Sequence, residues 1–187
     1  MKLKLFLSAA ALVCSAGMAR ATNITYSISA IAAGSLGGTD FRDQLVTLTM
    51  NADTANVTGG AGFFSIDGTV QLSVAGLGTA TFTDAMEVFD NQGFPAAGFG
   101  DVTAGPLSVL DTIDNAFTTY DLTTAIGPIT NASFINSGLS FATTAGAFII
   151  DSAGDSTFTA TTAAPEPVSM VLTGAGLVGL ALWRRKR

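Results

Sequence analysis

Alternation of apolar and polar residues constrains this chain more than any other feature. In residues 23–30, "NITYSISA", Ile24, Tyr26 and Ile28 interleave with Thr25, Ser27 and Ser29. "LVTLTM" sets Val46, Leu48 and Met50 against Thr47 and Thr49, and "TVQLSV" sets Val70, Leu72 and Val74 against Gln71 and Ser73. "DSTFTATTA" alternates Phe158 and Ala160 with Thr157, Thr159 and Thr161. An extended backbone sends successive side chains to opposite faces, so period two marks a half-buried strand; a helix would need a period near 3.6. The β-branched content favours the same state.

Turn-forming residues separate these windows: Gly37-Gly38, 51–53, Gly59-Gly60, Asp67-Gly68, 91–93, Gly127-Pro128 and 151–154. No helical stripe interrupts them. The expected fold class is all-β, an antiparallel, jelly-roll-like sandwich over residues 22–164. A β-solenoid would demand a fixed short repeat. Only a faint echo of "LGGTDFRD" in "LGTATFTD" exists, which reads better as two similar hairpin entries. Residues 94–100, "FPAAGFG", and 122–136 do not alternate and are expected as long loops or irregular strands, where binding would reside.

Charge narrows the partners. Between Thr22 and Ala164 the sole cation is Arg42, against thirteen Asp and Glu, a balance of −12. No basic surface can be assembled to displace counterions from phosphates, which excludes a nucleic-acid partner.

The remaining cations sit at the two ends. Lys2 and Lys4 precede an apolar run from Leu5 to about Val13, and small Ala19 and Ala21 flank Arg20. This pattern fits a secretory signal peptide over residues 1–21, handled by the Sec export machinery and cut by signal peptidase after Ala21. Bulky Val13 before Cys14 argues against a lipoprotein site. Cut there, the mature chain holds no cysteine, and its stability must come from packing and not from disulfides.

At the other end, Pro165-Glu166-Pro167 precedes an uncharged run of sixteen residues from Val168 to Trp183, and Arg184-Arg185-Lys186-Arg187 closes the chain. As a helix that run measures roughly 24 Å, against about 30 Å for a hydrocarbon core. Trp183 at the interface and snorkelling arginines close much of the gap. The prolines place the helix start after Pro167, and the cations hold the C-terminus in the cytoplasm with the acidic body opposite. Gly174, Gly176 and Gly179 give the helix small residues of the kind that allow close helix approach.

These three parts in this order resemble the PEP-CTERM sorting signal of Gram-negative bacteria. The resemblance covers residues 165–187. It implies export, a transient single-span membrane intermediate, and transfer to exosortase, a membrane protease-transferase that cleaves near Pro165-Glu166-Pro167 and removes the helix. It also implies delivery to the cell surface or extracellular matrix, and an association with exopolysaccharide and biofilm production.

Chemistry within the body is restricted by what is missing. The chain has no histidine, and residues 22–164 hold neither cysteine nor lysine. Triads, Ser-Lys pairs, Schiff bases and histidine metal sites are therefore excluded. Only carboxylates remain for acid–base work, as in glycoside hydrolysis. Glu87 with Asp84 or Asp90 is the local cluster to consider, but residues three apart on a strand face opposite ways unless a bulge intervenes. Oxygen-only calcium ligation is the other candidate: Asp111, Asp114 and Asn115 in "DTIDN", and Asp151 and Asp155 in "DSAGD". Neither follows a known calcium loop, and turn formation explains such residues equally well. The Asn-x-Ser/Thr triplets at Asn23, Asn56 and Asn131 are read as incidental.

The functional expectation is an exported, non-catalytic structural or interaction protein with no cofactor, catalytic residue or metal ligand assigned, whose partners are exosortase and extracellular polysaccharide. A carbohydrate-binding module is the alternative, and a carboxylate-dependent glycoside hydrolase comes third. The module needs solvent-facing aromatics, and with Trp183 in the membrane segment and only Tyr26 and Tyr120 as tyrosines, phenylalanine would have to supply them.

Overall fold

A computed structural model describes residues 23–103 and 107–162. The signal peptide, the sorting motif, the membrane segment and the basic tail lie outside the described residues. Within them, no helix is long and apolar enough to cross a membrane.

In chain order the strands are β1 (Asn23–Leu36), β2 (Thr39–Asp53), β3 (Thr58–Gly60), β4 (Phe63–Gly68), β5 (Val70–Val74), β6 (Gly78–Thr81) and β7 (Met86–Asn91). They continue with β8 (Ala96–Asp101), β9 (Leu107–Ile113), β10 (Ile126–Asn131), β11 (Ser133–Phe134), β12 (Ser140–Thr143) and β13 (Gly146–Thr162). Two antiparallel sheets form an all-β sandwich. The first, sheet A, is seven-stranded in the order β10-β13-β1-β2-β5-β6, with β12 also pairing β13; the second, sheet B, is six-stranded in the order β11-β9-β8-β7-β4-β3.

The four alternating windows all fall in sheet A. Ile24, Tyr26 and Ile28 of β1, Val46, Leu48 and Met50 of β2, Val70, Leu72 and Val74 of β5, and Phe158 and Ala160 of β13 are all buried in one core. Pairing aligns them across the sheet: Phe158, Ile28, Leu48 and Leu72 share one row. At the apolar coefficient of about 25 cal/mol per Å², each such side chain contributes roughly 1.5–3 kcal/mol on burial. Ile24 pairs with Thr162, so the chain enters and leaves the sandwich on adjacent antiparallel strands.

Both echo segments are hairpin entries, leading out of the turns at Gly37-Gly38 between β1 and β2 and at 75–77 between β5 and β6. Of the other expected turns, 51–53, Gly59-Gly60 and Asp67-Gly68 form the ends of β2, β3 and β4, and two lie well inside strands. Residues 151–154 lie inside β13, where register shifts against β1 mark bulges, because an extra residue can be absorbed without breaking the pairing. Gly127-Pro128 lies within β10, an edge strand of sheet A, where the missing proline N–H costs no ladder bond.

The expectation for residues 94–100 is corrected in part. Phe94 and Pro95 close a turn, but Ala96–Asp101 is a regular inner strand of sheet B, buried along its whole length. Alternation disappears because both faces of β8 are covered and its outward positions are Ala96, Gly98 and Gly100. Residues 122–136 supply β10 and the two-residue β11, in keeping with irregular strands.

Candidate functional site

The inner face of sheet B packs on the core through Ile66, Met86, Val88, Phe99, Val109 and Leu110. Its outer face carries the site. Alternation on β7 turns Met86, Val88 and Asp90 inward and Glu87, Phe89 and Asn91 outward. Register sets Glu87 beside Gly100 and Gly100 beside Ser108, and sets Phe89 beside Gly98 and Gly98 beside Asp111. Phe134 of β11 follows Asp111 in the same row.

Ser108 and Asp111 are three apart yet share the outer face. The pairing skips Val109, which is the bulge that returns the strand to phase. The Ser108 hydroxyl donates to Asp111 Oδ1.

These residues line a cavity of about 450 Å³. Its walls are phenylalanines: Phe63 stacks on Phe89 with centroids 5.9 Å apart and planes 11° from parallel. Phe63, Phe94 and Phe134, also lining it, are 38%, 52% and 44% exposed, among the most exposed large apolar side chains described. The floor requires glycine at position 98 and leaves only ordinary contact distance at position 100. A Cβ on Gly98 would stand 2.4 Å from Asp111 Oδ1 and from the Leu110 carbonyl oxygen, and one on Gly100 would lie 3.5 Å from Glu87 Oε1. Both carboxyls therefore lean over β8 from its two neighbouring strands.

Glu87 and Asp111 are buried. Burial pushes the Asp111 carboxyl up to about 7, against the opposing hydrogen bond from Ser108. Glu87 is also raised, first by burial; a hydrogen bond with Ser65 opposes the shift and the nearby Asp67 charge adds to it. Near neutral pH the Asp111 carboxyl is thus poised between acid and base, able to donate or accept hydrogen bonds.

The carboxylates singled out from the sequence distribute differently from the groupings proposed for them. Glu87 and Asp90 face opposite sides of sheet B, as residues three apart on a regular strand must. Asp84 instead accepts a hydrogen bond from Ala142 N at 3.0 Å. Glu87 converges with Asp111, a pairing invisible in the sequence because it depends on two strand registers and a bulge.

The calcium groupings do not assemble. Asp111 faces the groove, whereas Asp114 caps a 3₁₀ turn over Asn115–Thr119, accepting from Ala116 N at 2.8 Å. Asn131 Nδ2 also donates to Asp114, at 2.9 Å, and both bonds hold that carboxyl below its usual range. Asp151 and Asp155 are exposed on β13. Among the described residues, no three acidic, cysteine or histidine side chains come together to hold a metal ion. Tyr26 and Tyr120 are buried in the core, so among the described residues the exposed aromatics are phenylalanines.

No protein-family model matches the chain, and no curated protein or solved structure is significantly similar to it. The class that fold and site define is an antiparallel β-sandwich with a phenylalanine-walled groove on the outer face of one sheet.

Proposed function

We propose that this is an exported cell-surface or matrix protein whose jelly-roll-like body binds extracellular polysaccharide without chemically altering it. The observation that carries the binding reading is the groove itself. Exposed phenylalanines fit the C–H faces of sugar rings, and the two carboxyls at the floor can engage hydroxyl groups, the mixture of apolar walls and few polar groups usual in ligand sites. Phe94 and Phe134 are the stacking residues, and Glu87 and Asp111 orient the ring.

Delivery rests on the sequence. Residues 1–21 direct export, residues 165–187 hold the chain as a single-span intermediate, and exosortase cleaves near Pro165-Glu166-Pro167. A net-acidic body stays soluble outside the cell and resists self-association. The test has two arms. A glycan array probed with the secreted protein should give neutral or weakly acidic polysaccharide hits that Phe94→Ala and Phe134→Ala erase; no hit at all ends the binding reading. Intact-mass analysis should find the mature protein without Trp183 and the basic tail, and their retention ends the processing reading.

A second reading draws on Glu87 and Asp111 sharing one groove with raised pKa values. That arrangement also suits acid–base hydrolysis of a glycosidic bond, in which one carboxyl protonates the leaving oxygen and the other activates water. Release of reducing ends from a bound polysaccharide, lost in Glu87→Gln, would favour it; binding without release favours the non-catalytic role.

A further inference from the structure

The inward face of β7 holds a second anomaly, separated from the groove by the sheet. Asp90 is fully buried, and neither carboxylate oxygen has a hydrogen-bond partner. A buried charge in that condition costs far more than a polar group that has found a donor, so an orphan of this kind calls for a missing partner.

The neighbouring side chains cannot supply one. The Tyr26 hydroxyl donates to the Leu122 carbonyl. The Tyr120 hydroxyl donates to the Thr124 carbonyl at 3.1 Å, and Gln92 Nε2 donates to the Tyr120 carbonyl at 2.7 Å. Each of these side chains thus already donates to a backbone oxygen. Burial raises the Asp90 carboxyl to about 7, and the Asp121 carboxylate adds to that rise as it does for Tyr26 and Tyr120. Among the described residues Arg42 is the only Lys or Arg, and it lines a different depression with Ala33, Gly34 and Asp151. The loop after Tyr120 is held in an unusual path, with Leu122 at φ 64°. Asp121 fixes that path by accepting from Thr123 N at 3.0 Å and from Thr123 Oγ1 at 2.6 Å.

The Gln92–Tyr120 hydrogen bond ties the end of β7, with its donorless Asp90, to this turn, which carries the Asp121 carboxylate and the Tyr120, Leu122 and Thr124 carbonyls. That is an oxygen-rich environment with no protein cation among the described residues to balance it. We infer that Asp90 and Asp121, together with carbonyl oxygens of residues 120–124, bind a single calcium ion that ties this turn to sheet B. Calcium suits the donor set because it accepts variable numbers of carboxylate and carbonyl oxygens, whereas magnesium demands near-ideal octahedral geometry and keeps its waters. The site is independent of the groove: Glu87 and Asp90 are on opposite faces of one strand, so either assignment can fail alone.

The test uses the full-length chain in non-ionic detergent, stripped with EDTA and then given calcium or magnesium chloride. Calcium should raise the melting temperature by several degrees with saturation, and magnesium should raise it less. In a Trp183→Phe background, terbium luminescence sensitised through Tyr26 and Tyr120 should appear and be displaced by calcium. Asp90→Asn should abolish both responses while melting in EDTA at or above the parent temperature, because the amide removes the uncompensated charge. A parent protein with no calcium-dependent rise overturns the assignment, as does an Asp90→Asn protein with the same rise or terbium signal. If Asp90→Asn does not fold, Asp121→Asn serves instead: calcium affinity should fall at least about tenfold, and unchanged affinity overturns the site.

Discussion

Sheet A and sheet B are built from the same residue palette and differ in what their outer faces meet. The outer face of sheet A is mainly a hydroxyl lattice, interrupted by the exposed apolar pair Ile31 and Leu45. One row runs Thr130, Thr157, Ser29, Thr47, Ser73 and Thr79 across six strands. Each of these residues can satisfy itself with water or with a neighbour, as Thr130 and Thr157 do at 2.8 Å. The outer face of sheet B is folded over by its own side chains, leaving Glu87, Ser108 and Asp111 buried beneath phenylalanines. A face that meets mostly water stays largely polar and alternates; a face that covers its own polar groups loses that alternation.

The largest expected effect lies in the shared core. Phe158 is fully buried and contacts Phe117 and Tyr120 edge-on, with centroids 5.6 and 6.3 Å away. Phe158→Ala should cost about 3–5 kcal/mol, read as a lower urea midpoint, and a loss below about 1 kcal/mol would mean that sheet A does not organise the core.

Next comes the ionisation of Asp111. Its folded-state pKa, about 7, lies above its ordinary 3.8. The folded state therefore prefers the neutral acid, and the associated stability is complete below the lower value and lost as pH rises through the higher one. The parent should lose on the order of 3–4 kcal/mol relative to Asp111→Asn between about pH 4 and 8. Parallel pH profiles for the two proteins would show that Asp111 is more hydrated than its burial implies.

Smaller effects separate the two outer faces directly. Phe94→Ala should weaken polysaccharide binding about tenfold, or roughly 1.4 kcal/mol, while thermal stability shifts by less than about 0.5 kcal/mol. Thr49→Val, in the hydroxyl lattice, should change stability by no more than about 0.5 kcal/mol and leave binding untouched. If the threonine substitution abolished binding and the phenylalanine one did not, the functional face would belong to sheet A.

The same contrast explains what the sequence could disclose. Ile24, Tyr26, Ile28, Val46, Leu48 and Met50 were readable as core because each is flanked by residues that meet solvent. Met86 to Asp90 and Ala96 to Asp101 gave no such signal, since polar and apolar members alike are covered there. The bulge at Val109 erased the phase relation between Ser108 and Asp111, and without that relation nothing in the chain links Asp111 to Glu87. The residues 151–154 misled for the converse reason: turn-forming types occupy a bulged strand whose partner dictates its path.

The side-by-side pairing of Ile24 with Thr162 has one further consequence. A unit whose two connections emerge at a single pole behaves as a cassette, because a host loop needs to open by only about one strand spacing, roughly 4.8 Å, to admit it. The body could be spliced into an unrelated carrier, or recut at Gly37-Gly38 with its natural ends joined by a short linker, and would keep every strand neighbour it now has.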